Sequence, residues 1–167
     1  MRSLKFFAVF AALVVSLVLV SAPSKSASNE NHKADLIGYE EVPAVSSTGS
    51  GELRMKIYED SQVIEYEISY ANLEGTTTTA SHIHLGQKSV NGGVIAFFCG
   101  GGGKPACTPT SGTFSGTIVP ADVVGPAAQG IAAGEWDEVV RAIRAGMVYA
   151  NVHTNKHPGG EIRGQIK

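Results

Sequence analysis

Apolar and polar residues alternate along most of the chain, which is the pattern of β-strands that bury one face in a core. The clearest alternation runs through residues 52–59 and 63–70, and the tight turn Asp60-Ser61 between them predicts a β-hairpin with one solvent-exposed face. A continuous apolar run at 94–98 predicts a buried strand. Further strands are predicted at 35–45, 77–86, 113–119, 147–154 and 161–167.

One helix is predicted at residues 135–144, and Gly146 ends it. Its apolar positions recur at helical spacing: Trp136, Val139, Val140 and Ile143. About eight short strands with one short helix near 135–145 indicate an all-β protein. The arrangement expected for this pattern is a β-sandwich or a Greek-key β-barrel.

Residues 1–26 have the organisation of a secretory signal peptide. A basic start is followed by apolar runs at 6–15 and 17–20, and then by small residues that allow cleavage after Ser26. The alternative is an uncleaved N-terminal anchor, because the apolar stretch 6–22 is nearly long enough to span a membrane. Both alternatives place the remaining chain outside the cytoplasm, as a secreted, periplasmic or cell-surface protein.

The remaining chain, about 140 residues, is long enough for one domain with its own core. We assign the polar stretch 27–34 to a flexible lead-in and residues 35–167 to the domain. The formal net charge is −2 and no basic stripe with interleaved aromatic residues is present, which argues against nucleic acid as a partner.

The two cysteines, Cys99 and Cys107, enclose a glycine-rich loop that is flexible enough to bend back on itself. In an exported chain this spacing favours a disulfide bond. A two-cysteine metal site is the alternative, and oxidation would compete with it in that compartment.

His82 and His84 share one face of the predicted strand 77–86, because side chains alternate across a strand and Ile83 takes the opposite face. Their Cα atoms are on the order of 6.6 Å apart, from the usual rise per residue of a strand. Two imidazoles at this separation can turn onto one metal ion. His153 repeats the arrangement on its own strand, on the face opposite the apolar residues.

Three imidazoles suit copper, zinc, nickel or iron, and the order of affinities places copper first. We therefore predict a copper or zinc site formed by His82, His84 and His153. A site on an outward face needs a covering loop, which residues 87–93 or the loop between the cysteines can supply. The alternative is that each histidine hydrogen-bonds a loop and stabilises the fold.

The last strand follows a short turn and is predicted to pair with the strand of His153, which places Arg163 on the same face as that histidine. Arg163 and Glu161 are candidate outer partners of the metal ligands. The alternative is a structural ion pair, or bonds from these two residues to neighbouring loops. Glu40 and Glu41 are assigned to an edge strand, and the alternative is a paired acid and base, for which no partner is in view. No catalytic residue is assigned, because no nucleophile with its base is arranged along the chain.

Four segments of the chain together resemble the signature blocks of the chordin-type (CHRD) domain family. They are Leu36-Ile37-Gly38-Tyr39-Glu40-Glu41-Val42-Pro43, Ala80-Ser81-His82-Ile83-His84-Leu85-Gly86, Tyr149-Ala150-Asn151-Val152-His153-Thr154 and Pro158-Gly159-Gly160-Glu161-Ile162-Arg163-Gly164-Gln165-Ile166. They occur in the order of the family and span about residues 35–167. The resemblance implies an immunoglobulin-like β-barrel, found in the animal protein chordin and as stand-alone exported proteins. The family has no well-defined biochemical activity, so the resemblance implies a fold and no reaction.

The histidine spacing is also similar, more weakly, to that of the copper/zinc superoxide dismutases. In those enzymes a His-x-His on an outward strand face and a later histidine hold copper, and His82, His84 and His153 match that pattern. The dismutase loop that carries the bridging histidine and the zinc ligands has no counterpart here. The sequence thus predicts an exported domain that binds copper or zinc. The alternative is a non-catalytic binding or structural module whose histidines stabilise the fold.

Overall fold

The computed structural model describes residues 29–167 and shows one eight-stranded antiparallel sheet that curves into a nearly closed barrel. The strands are β1 (Asn29–Ile37), β2 (Ser50–Tyr58), β3 (Val63–Ala71), β4 (Thr78–Leu85), β5 (Val94–Cys99), β6 (Gly112–Ile118), β7 (Val148–Thr154) and β8 (Ile162–Gln165). Their order in the sheet is β5-β4-β7-β8-β1-β2-β3-β6. This part of the chain has one α-helix, α1 (Trp136–Arg144), and short 3₁₀ helices at Gly38–Glu40, Pro120–Asp122 and Ala127–Gln129. The predicted all-β barrel with one short helix is confirmed.

The core is formed by the strand faces that the alternating pattern predicted to be apolar. Members from each part of the barrel are fully buried: Leu53, Ile57, Ile64, Ile68, Ile83, Ile118, Val148, Val152 and Ile162. The apolar face of α1 joins the same core. Where the sheet is open, between β5 and β6, the Tyr66 hydroxyl donates to the carbonyl of Phe98 at 3.3 Å and the two rings lie 4.6 Å apart. Side-chain contacts therefore bridge the gap that backbone pairing leaves.

The first strand begins earlier than the sequence predicted. Residues 29–34, which we had assigned to a flexible lead-in, belong to β1 and pair with β2 from Asn29 opposite Tyr58 onward. Residues 29–34 form a strand because their backbone hydrogen-bonds to β2. Their polar side chains show no alternation from which this pairing could be predicted. His32 accordingly lies within β1. The predicted signal peptide, 1–26, lies outside the described residues.

Cys99 ends β5 and forms a disulfide bond with Cys107, with the two Cα atoms 5.1 Å apart. The predicted disulfide is confirmed, and the two-cysteine metal site is ruled out in this oxidation state. Among residues 29–167, no helix is both long and apolar enough to cross a membrane.

The sheet order brings the histidine strands together. β4 pairs with β7, with His82 opposite Asn151 and Ala80 opposite His153. β7 pairs in turn with β8, as the short turn between them predicted, with Asn151 opposite Arg163. The outer faces of three adjacent strands therefore meet around Asn151.

Candidate metal centre

The three predicted histidines converge on the outer face of the barrel. His82 and His84 project from β4 and His153 projects from β7, and one ring nitrogen of each lies within 4.8 Å of the others. The His82 ring is 4.4 Å from the His84 ring and 4.5 Å from the His153 ring, measured between centroids. In the described part of the chain this is the one group of three such side chains close enough to share an ion.

The site is outward-facing and yet covered. His82 and His84 are only 7% and 8% exposed, and His153 is partly exposed. The loop 87–93, one of the two covers proposed from the sequence, lies over His84 and is held by the hydrogen bond between Gly92 N–H and the Tyr149 hydroxyl, 3.2 Å. Glycine is required at 92, because a Cβ there would collide with the backbone of Leu85. Phe97 packs edge-on against His82 with ring centroids 5.0 Å apart.

Two rings have one nitrogen fixed by a backbone carbonyl. His84 Nδ1 donates to Gly92 and His153 Nδ1 donates to Pro158, both at 2.9 Å. A carbonyl only accepts, so Nε2 of each neutral ring carries a lone pair. Nε2 of His153 and Nδ1 of His82 are buried without a hydrogen-bond partner among the described residues. Metal-binding histidines typically show this arrangement, with the second nitrogen held by a carbonyl or carboxylate.

Burial favours the neutral form of all three imidazoles. It lowers the pKa of His82 to about 2, with His84 and His153 adding their charges in the same direction. It lowers the pKa of His84 to about 4, against the hydrogen bond to Gly92, and it also lowers the pKa of His153. Neutral imidazole is the form that coordinates a metal ion.

A stack of three side chains supports His84. The Tyr149 ring lies parallel to the His84 ring at 4.7 Å, and the guanidinium of Arg163 lies 3.4 Å from the centroid of Tyr149. Arg163 is 2% exposed and donates to the loop 87–93 at Asn91 Oδ1 (3.1 Å), Val90 O (2.8 Å) and Gln87 O (3.3 Å). Arg163 thus acts on the site through Tyr149 and the covering loop.

Glu161, the other candidate outer partner, is buried in a different hydrogen-bond network. Its carboxylate accepts from Ser47 Oγ at 2.7 Å, Glu74 N–H at 2.6 Å and Thr154 Oγ1 at 2.7 Å. Burial opposes ionisation of Glu161, but these hydrogen bonds outweigh it and hold its pKa below the usual value. In the described chain its hydrogen bonds go to loops and to Thr154 and not to the three histidines, so Glu161 fits the structural alternative.

Two residues that the sequence analysis did not assign to the site lie beside it. The amide of Asn151 is 3.1 Å from His84 Nε2. Glu41 is buried, whereas its neighbour Glu40 is paired with Lys88 at the surface, 3.0 Å. Burial raises the pKa of Glu41 to about 7, against the opposing effects of Arg163 and Asn151. The assignment of Glu40 and Glu41 to an edge strand was wrong, because β1 ends at Ile37, Glu40 lies in the 3₁₀ helix that follows, and Glu41 comes directly after that helix. Only the folded chain shows that Glu41 is buried near Arg163 and Asn151.

The metal-free protein should lose stability as the pH falls from 6.5 to 5. The folded pKa values of His82 and His84 lie below the unfolded value of 6.5, so below pH 6.5 the unfolded chain binds two protons that the folded chain does not. Glu41, with its folded pKa near 7, offsets one of them. Each proton changes the free energy of unfolding by about 1.4 kcal/mol per pH unit, so the net loss between pH 6.5 and 5 is about 2 kcal/mol. The lowered pKa of His153 increases this loss.

Replacing Glu41 with glutamine removes the offset, so the loss over the same range should rise to about 4 kcal/mol. Denaturant unfolding of chelator-treated wild type and Glu41→Gln at pH 7, 6 and 5 measures both slopes. A wild-type stability that does not change between pH 6.5 and 5 would contradict the neutral, buried state of the histidines.

Residues 32–166 match the family model of the CHRD domain. No curated protein and no solved structure matches the chain. The matched range includes all three histidines, together with Glu41, Asn151 and Arg163.

Proposed function

The chain belongs to the CHRD domain family, and from this premise we propose that it is an extracytoplasmic protein that binds one copper or zinc ion through His82, His84 and His153. The observation that carries the proposal is that one ring nitrogen from each of the three histidines, two of them buried and one partly exposed, lies within 4.8 Å of the others. Export is supported by the disulfide bond and by the signal-like residues 1–26.

The donor set fits the proposed ions. One buried ring nitrogen of His82 and one of His153 have no hydrogen-bond partner among the described residues, so both are free to bind an ion. Nitrogens bound tetrahedrally to one ion at about 2.1 Å lie about 3.4 Å apart, so small rotations of the rings close the present spacing. Three neutral imidazoles with an open fourth position suit Zn(II), and Cu(II) binds such ligands more tightly still.

The resemblance of the histidine spacing to that of copper/zinc superoxide dismutases supports copper binding and not a reaction. A His-x-His on an outward strand face with a later histidine is the copper-holding pattern of those enzymes. We extend the pattern to His82, His84 and His153, and we propose no dismutase reaction, because the loop of their bridging histidine has no counterpart in this sequence.

A second candidate function is a non-catalytic module of the cell exterior in which the histidines stabilise the fold. The observation that favours it is that both ring nitrogens of His84 already have neighbours, Gly92 O at 2.9 Å and Asn151 Oδ1 at 3.1 Å. Under this alternative the imidazoles tie the loop 87–93 to the barrel wall and bind no ion.

Titration of the chelator-treated protein with Zn(II) and with Cu(II) separates the two candidates. We expect one ion per chain and a higher melting temperature in its presence. Free metal at 100 times Kd should stabilise the folded state by about 2.7 kcal/mol, because the ion binds the folded chain alone. Absence of binding, with an unchanged melting temperature, would favour the structural module.

A further inference from the structure

Asn151 lies on the outer face of the barrel among the three histidines. Asn151 and His153 alternate along β7 as His82 and His84 alternate along β4, so each pair has the same two-residue spacing. The β4–β7 register places Asn151 directly opposite His82. One amide and three imidazoles therefore share a single patch of the sheet surface.

The Asn151 side chain is buried and its oxygen end is directed at the histidines. The residue is 3% exposed, and its backbone carbonyl accepts from the Ser81 hydroxyl of β4 at 3.0 Å. The amide oxygen, Oδ1, lies 3.1 Å from His84 Nε2. Burial lowers the pKa of both His82 and His84, and the Asn151 side chain acts in the opposite direction, as an oxygen that faces the rings does.

The ring of His84 faces two acceptor oxygens with only one proton. Its nitrogens lie 2.9 Å from Gly92 O and 3.1 Å from Asn151 Oδ1, and a neutral imidazole has a single N–H. The Gly92 carbonyl belongs to the backbone and only accepts, so it takes the proton on Nδ1. Nε2 and Oδ1 then present lone pairs to each other, which is unfavourable unless a cation lies between them or the amide turns over.

The distance between His84 Nε2 and Asn151 Oδ1 fits two ligands of one ion. Ligands bound tetrahedrally at about 2.1 Å lie about 3.4 Å apart, within about 0.3 Å of the 3.1 Å observed here. An ion that binds the lone pair of Nε2 therefore meets the amide oxygen after a small shift of either side chain.

We propose that Asn151 Oδ1 is the fourth ligand of the metal ion and closes the coordination shell that His82, His84 and His153 leave open. The inference rests on the proposed metal-binding function and deepens it. Three imidazole nitrogens and one amide oxygen suit Zn(II) and Cu(II), whereas Cu(I) prefers sulfur ligands. Four protein ligands close a site, while a catalytic site keeps one position for water or substrate. The ion is then held for structure or storage.

A crystal structure of the wild-type protein loaded with Zn(II) alone tests the ligand directly. We expect Asn151 Oδ1 at about 2.0–2.2 Å from the ion, with no water in that position. An ion bound by the three histidines and a water molecule, with Oδ1 beyond about 3 Å, would overturn the proposal. This measurement uses the wild-type chain and does not depend on the folding of a variant.

Azide, a small anion that binds to open positions on metal ions, tests the closure of the site in solution. With Co(II) as the only metal, azide binding is followed by the visible absorption of the ion. Azide should leave the wild-type spectrum unchanged at concentrations that shift the spectrum of Asn151→Ala, because water replaces the amide oxygen in the variant. Asn151→Ala should also bind Zn(II) about 10-fold more weakly, at the lower end of the range for losing a neighbour of a metal site.

Two further variants complete the azide experiment. Asn155→Ala is the matched control, because the Asn155 amide bonds to Thr76 and Thr77 in exposed loops, and it should exclude azide as wild type does. Asn151→Asp keeps an oxygen at the same position, so it should exclude azide and bind Zn(II) at least as tightly as wild type. Loss of azide exclusion in Asn151→Asp would contradict the role of that oxygen.

An amide that has turned over predicts the opposite effect on affinity. Its N–H₂ group then donates to His84 Nε2 and competes with the ion, so Asn151→Ala would bind Zn(II) more tightly than wild type, which would overturn the proposal. A residue outside the coordination shell would weaken Zn(II) binding when removed and leave azide binding unchanged, which would also overturn it.

The outcomes separate this inference from the proposed function. One Zn(II) ion per chain, with azide bound equally by Co(II)-loaded wild type and Asn151→Ala, would remove Asn151 from the ligand set and leave the three-histidine site in place. Failure of wild type to bind Zn(II) at all would overturn both the inference and the metal site.

Discussion

Alanine at His82, His84 or His153 should each raise the Kd for Zn(II) at least about 100-fold, more than the loss of an outer partner does. Each substitution removes one of three nitrogen ligands, and two ligands seldom hold the ion against water. Residues 29–167 offer no replacement, because no fourth His, Cys, Asp or Glu among them joins the group. Direct titration of the three variants, with competition by a chelator of known affinity, measures the change.

His32→Ala and His157→Ala are the controls, since the described part of the chain keeps both side chains outside the group of three. They should bind Zn(II) within a few-fold of wild type. If the domain is instead a structural module, the three substitutions should lower the unfolding free energy of the metal-free protein. Added metal should then leave the melting temperature unchanged. One-to-one binding that survives all three substitutions would place the ion elsewhere.

Much of this site could be predicted because its residues alternate with core residues. Ile83 between His82 and His84, and Val152 beside His153, fix the inward face of each strand, so the histidines must face outwards. The β7–β8 pairing was also predictable from the short turn before Ile162. The β4–β7 pairing was not, since strands about 65 residues apart in sequence pair through core packing that no local pattern encodes.

Glu41 and Glu161 show where sequence reasoning was insufficient. Both are carboxylates in polar stretches, for which exposure is the usual expectation. Their burial depends on partners far along the chain, namely Arg163 for Glu41, and Ser47 and Glu74 for Glu161. The assignment of residues 29–34 to a lead-in was wrong for a related reason, because the partner strand β2 and not their own side chains makes them a strand.

Arg163→Ala should lower the free energy of unfolding by about 3–5 kcal/mol, the range for removing one member of a buried charged network. The guanidinium is 2% exposed, and its loss leaves acceptors at Gln87, Val90 and Asn91 without a donor and Glu41 without its nearby cation. Arg163→Lys keeps the charge but not the planar fork that spans three acceptors and stacks on Tyr149, so an intermediate loss is expected.

Denaturant unfolding of these variants is best compared with Arg54→Ala, a matched control, because Arg54 makes its ion pair with Glu52 at 2.8 Å on the surface. Exposed pairs add little to stability, so Arg54→Ala should unfold close to wild type. Since Arg163 also holds the loop 87–93 over His84, amide hydrogen exchange in that loop should accelerate in Arg163→Ala and not in Arg54→Ala. Equal stability of the two alanine variants would mean that Arg163 does not fasten the covering loop to the barrel.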